Sequence, residues 1–126
     1  MSKCVILRED EDDLADMVRE LLEDSGYRVV HVRSVPELLA EAERRSPCLA
    51  LVDGTSPTSF DLWWVGPVLT KLGVPPVAFT AHASARQEFA ADPHDFVGIV
   101  TKPFDANEFV NLVDDVCWEG DAAAAS

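Results

Sequence analysis

The sequence is short of positive charge: 10 Lys and Arg stand against 23 Asp and Glu, for a formal net charge of −13. Neutralising phosphates requires Lys and Arg, so direct nucleic-acid binding by this chain is not expected. Over most of the surface the excess of acid serves solubility. Cysteine is also scarce. Cys4, Cys48 and Cys117 are odd in number and lack any C-x-x-C spacing, which argues against disulfides or zinc and suits small buried hydrophobes in a reducing cytoplasm. No apolar run approaches the roughly 20 residues of a membrane span, so no membrane partner is expected. The N-terminal MSKCVILRED has neither the apolar core nor the cleavage site of a secretory signal. Gly-rich tracts and internal repeats are missing too. What is left is a cytoplasmic globular chain, and 126 residues suffice for one domain with a single core.

Within that chain, short β-like runs alternate with helical patterns five times. KCVIL at 3–7, YRVVHV at 27–32, CLALV at 48–52, PVAFT at 76–80 and FVGIVT at 96–101 read as strands. CLALV is the near-continuous apolar kind that is buried on both faces of a parallel sheet. Leu14, Met17, Val18, Leu21 and Leu22 repeat at helical spacing, with Gly26 as a C-terminal cap. Ser34 and Glu37 form a capping box for a helix reaching about Arg45, and Asp105 with Glu108 forms another. The last helix turns Phe109, Leu112, Val113 and Val116 inward. The stretch 60–73 is a weaker helix, since Gly66-Pro67 should break or kink it, and 84–92 is a short helix ending before Pro93. Residues 119–126 read as a frayed tail or the start of a linker, which puts the folded domain at 1–118.

Strand–helix alternation of this length predicts a doubly wound α/β fold, a parallel sheet with helices on both faces. Right-handed crossovers leave the strands' carboxyl ends on one edge, where such sheets bind ligands. Glu9 and Asp10 follow the first strand, Asp53 ends the third, Thr80 the fourth and Lys102 the fifth. Lys102 lies in GIVTKPFD, where a charge and a proline interrupt an apolar run as though the amine must face something negative. Asp12 and Asp13 are covered by a simpler account, complementing the dipole of a helix start. Each rim residue alone is ordinary; four strand ends converging is not. Two carboxylates near a third suit Mg2+, a carboxylate can become an aspartyl phosphate, and a hydroxyl with an amine can hold phosphoryl oxygens.

These residues resemble the receiver domain of two-component response regulators, a flavodoxin-like fold. The resemblance covers about residues 3–118 and rests on ED at 9–10, PCLALVD at 47–53, Pro57 four residues beyond Asp53, FTA at 79–81 and TKPF at 101–104. It implies five strands in the order 2-1-3-4-5 and phosphotransfer from a histidine kinase or phosphotransfer protein to Asp53, in a signalling switch rather than a turnover enzyme. By position it implies Mg2+ on Glu9, Asp10, Asp53 and the Thr55 carbonyl, a phosphoryl group held by Thr80 and Lys102, and a cis Lys102–Pro103 bond. Thr55 and His82 are candidates for tuning loss of the phosphoryl group to water, with an exposed loop position as the plainer account of His82. The chain departs from the family pattern at several places. Arg8 stands where a small apolar residue is frequent and is a candidate partner for a site carboxylate. Thr55-Ser56 and a short segment from Asp53 to Thr80 alter the third helix and its loop. Ile99 takes the switch position that is usually aromatic.

Two rivals remain. A receiver-like interaction module acting without phosphorylation would fit Ile99 and Thr55-Ser56. A small α/β enzyme or flavin carrier would want a Gly- or hydroxyl-rich phosphate loop after the first strand, where REDEDD repels phosphate. Without metal, Glu9, Asp10 and Asp53 are expected to repel one another, so Asp10→Asn is expected to stabilise the protein. Trp63 and Trp64 lie about 100° apart on a helix, so one is expected to pack and the other to be partly exposed. His31 and His94 read as structural.

Overall fold

The structure, a computed structural model, describes residues 3–56 and 58–125, with residues 119–125 as backbone alone; Pro57 of the family pattern lies outside the described residues. In chain order the elements are β1 Cys4–Arg8, α1 Asp12–Asp24, β2 Arg28–Val32, α2 Val35–Arg45, β3 Leu49–Val52, α3 Val65–Lys71, β4 Pro76–Thr80, α4 Ala85–Ala91, β5 Gly98–Thr101 and α5 Ala106–Ala125. The five strands are parallel and ordered β2-β1-β3-β4-β5. The expected doubly wound sheet is therefore what forms.

The sheet is wrapped on both faces because its central strands are apolar at successive positions. Val5, Leu7, Leu49, Leu51, Val77 and Phe79 enter one core with Val18, Leu22, Phe109 and Val113 of α1 and α5. Ile6, Ala50, Val52 and Ala78, the alternate residues, enter the other with Leu38, Val65 and Leu69 of α2 and α3. A period of two on strands and about 3.6 on helices requires this division. Both N-cap bonds form: Glu37 N–H donates to Ser34 Oγ at 3.3 Å and Glu108 N–H to Asp105 Oδ1 at 3.0 Å. Gly26, at φ 95°, takes the left-handed turn after α1. Met17, expected on the inner face, is exposed instead, and Ala15 takes a buried place in α1.

Three features correct the sequence reading. Gly66 and Pro67 do not break α3 but lie in its first turn, where the missing N–H of proline has no intrahelical partner to lose. The helix is accordingly shorter than 60–73. Gly66 also admits a close neighbour, since a Cβ there would lie 1.9 Å from the His94 carbonyl oxygen. Cys48 and Cys117 form a disulfide with a Cα–Cα distance of 5.0 Å, leaving Cys4 as the free thiol; the fold joins residues 69 positions apart, which local spacing does not reveal. Finally, the α5 backbone stays helical to Ala125 where a frayed tail or the start of a linker was expected, through an alanine-rich run of the highest helix propensity. Among the described residues no helix is long and apolar enough to cross a membrane.

Candidate functional site

The carboxyl ends of β1, β3, β4 and β5 bring Glu9, Asp53, Thr80 and Lys102 to one edge. Main-chain bonds fix the frame: Asp53 N–H donates to Arg8 O at 3.1 Å, and Lys102 N–H to Thr80 O at 2.9 Å. Lys102 Nζ stands 3.0 Å from Glu9 Oε2 and 3.2 Å from Asp53 Oδ1, with the Phe79 ring 4.6 Å from it. The Lys102–Pro103 peptide is cis. Glu9 is 2% exposed; its Oε1 accepts from Glu11 N–H at 3.2 Å, and its carbonyl lies 2.7 Å from His31 Nε2. Thr80 is fully buried, and its Oγ1 accepts the His82 N–H at 3.1 Å. His82 thus touches the site through its main chain. Ile99 is half-buried against the α2–α3 core.

Burial pushes the Asp53 carboxyl up to about 6, against the Lys102 ammonium, while Glu9 adds to the rise. Arg8 meets this acidity from beneath. It is only 3% exposed, and its Nη1 donates to the Asp53 carbonyl at 2.8 Å and the Gly54 carbonyl at 3.4 Å. Its Nη2 pairs with Asp10 Oδ1 at 2.9 Å. Thr55 is held by Asp61, which accepts from its N–H at 2.7 Å and from its Oγ1. Burial pushes the Asp61 carboxyl up, but the Thr55 hydrogen bonds outweigh it and hold the group below the usual range.

The expected Mg2+ set, Glu9, Asp10, Asp53 and the Thr55 carbonyl, does not fit the site as built. The oxygens are of the right kind for a hard cation, but Glu9 and Asp53 face Lys102 and Asp10 faces Arg8. Among the described residues no three acidic, His or Cys side chains stand close enough to share an ion. Sequence reasoning named Arg8 as a partner for a carboxylate but not its two main-chain acceptors, and it missed Asp61, for which no motif existed. Trp63 packs among Phe60, Phe89, His94 and Phe96 and Trp64 is 55% exposed, as expected, although both stand in the turn before α3 and not on a helix.

A half-buried aspartate facing a lysine, on the carboxyl edge of a sheet ordered 2-1-3-4-5, is an arrangement of the receiver type. No family model matches the chain. It is 32% identical over 116 residues to an uncharacterized 14.6 kDa protein from the sodA1 3′ region of Leptolyngbya boryana, covering 90% of this chain and 88% of that one. It is 26% identical over 125 residues to the nitrogen assimilation regulatory protein NtrX of Azorhizobium caulinodans, spanning 90% of this chain but 26% of NtrX. The CheY-like receiver domain protein of Methanospirillum hungatei superposes with a TM-score of 0.83 at 21% identity, over 98% and 99% of the two chains. The receiver domain of the Pseudomonas aeruginosa sensor histidine kinase PA1611, described with a magnesium ion in its active-site cleft, gives 0.71 at 22% identity over 93% and 98%. The chain has the CheY-like receiver fold.

Proposed function

We propose that this receiver accepts a phosphoryl group on Asp53 from a histidine kinase or phosphotransfer protein and thereby changes which protein partner it binds. The observation that carries the reading is the Lys102 ammonium held 3.2 Å from Asp53 Oδ1, on the sheet edge where β4 ends in Thr80. In the step, an Asp53 carboxylate oxygen attacks phosphorus as the bond from phosphorus to the donor's imidazole nitrogen breaks. The electron pair returns to that nitrogen, which takes a proton from water. Lys102 then faces the new phosphoryl oxygens and Thr80 donates its hydroxyl, the positioning and charge stabilisation on which phosphoryl transfer depends. No step here runs through Mg2+, and a cytoplasmic site of action is part of the proposal.

The test is incubation with a small phosphoryl donor such as phosphoramidate, read by intact mass. One phosphoryl increment is expected, absent in Asp53→Asn and slowed in Lys102→Ala by roughly 10- to 150-fold, the worth of one charge-assisted hydrogen bond. A second reading, an interaction module that works without phosphorylation, is favoured by the Arg8–Asp10 pair at 2.9 Å, which supplies an acidic group of the site with a cation from within the chain. No mass increment under any condition would select it.

A further inference from the structure

We infer that Arg8 is a resident cation of the acidic pocket, doing with a fixed side chain what a divalent ion would otherwise do, so that the unphosphorylated protein resists Mg2+. The inference rests on reading this pocket as the receiver's acceptor site. Glu9, Asp10 and Asp53 supply three carboxylates, and each is paired from within the chain, Asp10 by Arg8 and the other two by Lys102. Arg8 also ties the loop between β3 and α3 to the end of β1 through the carbonyls of Asp53 and Gly54. These are the two tasks a metal would perform there, neutralising acid and fixing the loop.

The side chain is committed to this position. Its Nε is buried without a hydrogen-bond partner, a cost accepted while Nη1 and Nη2 are both engaged in the pocket. A guanidinium cannot leave by losing a proton. A divalent ion approaching Asp10 would either lie beside a like charge or break the 2.9 Å pair and push Arg8 out of a site where it is 3% exposed. Lysine would keep the charge but lose the fork that reaches Asp10 and both carbonyls together.

Calorimetric titration of the unphosphorylated protein with Mg2+ alone tests this, with thermal melts in Mg2+ and in chelator alongside. Wild type is expected to bind more weakly than about 1 mM, the weak end of functional divalent sites, with no shift in melting temperature. Arg8→Gln is expected to tighten binding at least ~10-fold and to gain a Mg2+-dependent rise in melting temperature, while Arg8→Lys stays unresponsive. A saturable wild-type isotherm below about 1 mM overturns the inference, whether or not Arg8→Gln folds; so does an Arg8→Gln protein that folds and remains unresponsive. The titration needs no phosphoryl donor, so its failure leaves Asp53 labelling standing, and failed labelling leaves this result standing.

Discussion

At Asp53, burial and charge act against each other. Its carboxyl lies at about 6 in the fold, whereas an unfolded aspartate titrates near ~3.9. A raised value means the fold favours the protonated form. That stability is fully present below the unfolded value and is lost as pH rises through about 6. Asp53→Asn keeps the shape without the charge and is expected to gain about 1–3 kcal/mol at pH ~8 and almost nothing at pH ~4. Urea melts across that range check it, and a gain independent of pH would sink the assignment. Asp10 shows how pairing overrides composition. Mutual repulsion of the carboxylates predicts that Asp10→Asn stabilises, but the bond to the buried Arg8 guanidinium reverses the sign. The expected loss is about 0.5–2 kcal/mol, kept small because Asp10 is largely exposed, and a measured gain would restore the repulsion account. The residue types at the rim were legible from strand ends alone. Their partners were not, because two of Arg8's acceptors are main-chain carbonyls that no side-chain pattern encodes.

Among the elements, those with their own periodicity and caps were legible: α1, α2, α5 and the apolar central strands follow from spacing and from Ser34 and Asp105. The third helix was not, because its start is decided by a neighbour. Gly66 in the first turn of α3 lets the helix press against the turn before β5, where His94 and Asp95 both have positive φ, 47° and 68°. A Cβ at Gly66 would meet the His94 carbonyl oxygen at 1.9 Å and the Phe96 ring at 2.9 Å. Helix propensity alone says that Gly→Ala should help by roughly 1 kcal/mol, but overpacking against backbone opposes it and is larger. Gly66→Ala is therefore expected to lose about 2–3 kcal/mol. Trp63 fluorescence should change with it, since that indole stacks on His94 with ring centroids 5.9 Å apart. A neutral result in denaturant melts would mean that the turn yields freely and that Gly66 is present for another reason.

For the molecule as a whole, the Cys48–Cys117 disulfide is the long-range link that no local pattern announces. It joins the residue before β3 to α5, on the side of the sheet where α1 and α5 pack, and closes a loop with a sequence separation of 69. Cross-linking a loop of that order restricts the unfolded chain, and native disulfides typically contribute about 2–4 kcal/mol. Reduction should lower the stability of the protein by that amount without changing the sheet order, because strand pairing and most of the apolar contacts of both cores involve other residues. Paired cysteines are uncommon where glutathione and thioredoxin keep thiols reduced, so the bond also bears on the proposed cytoplasmic site of action. Alkylation under native, non-reducing conditions is expected to modify Cys4 alone, and slowly, since burial pushes its thiol up and only the thiolate reacts. Cys48→Ala with Cys117→Ala should reproduce the reduced protein's stability and be insensitive to reductant. If all three cysteines of the protein isolated from cells are alkylated without reductant, the bond is not formed there. The two thiols would then act as the small buried hydrophobes their spacing suggests.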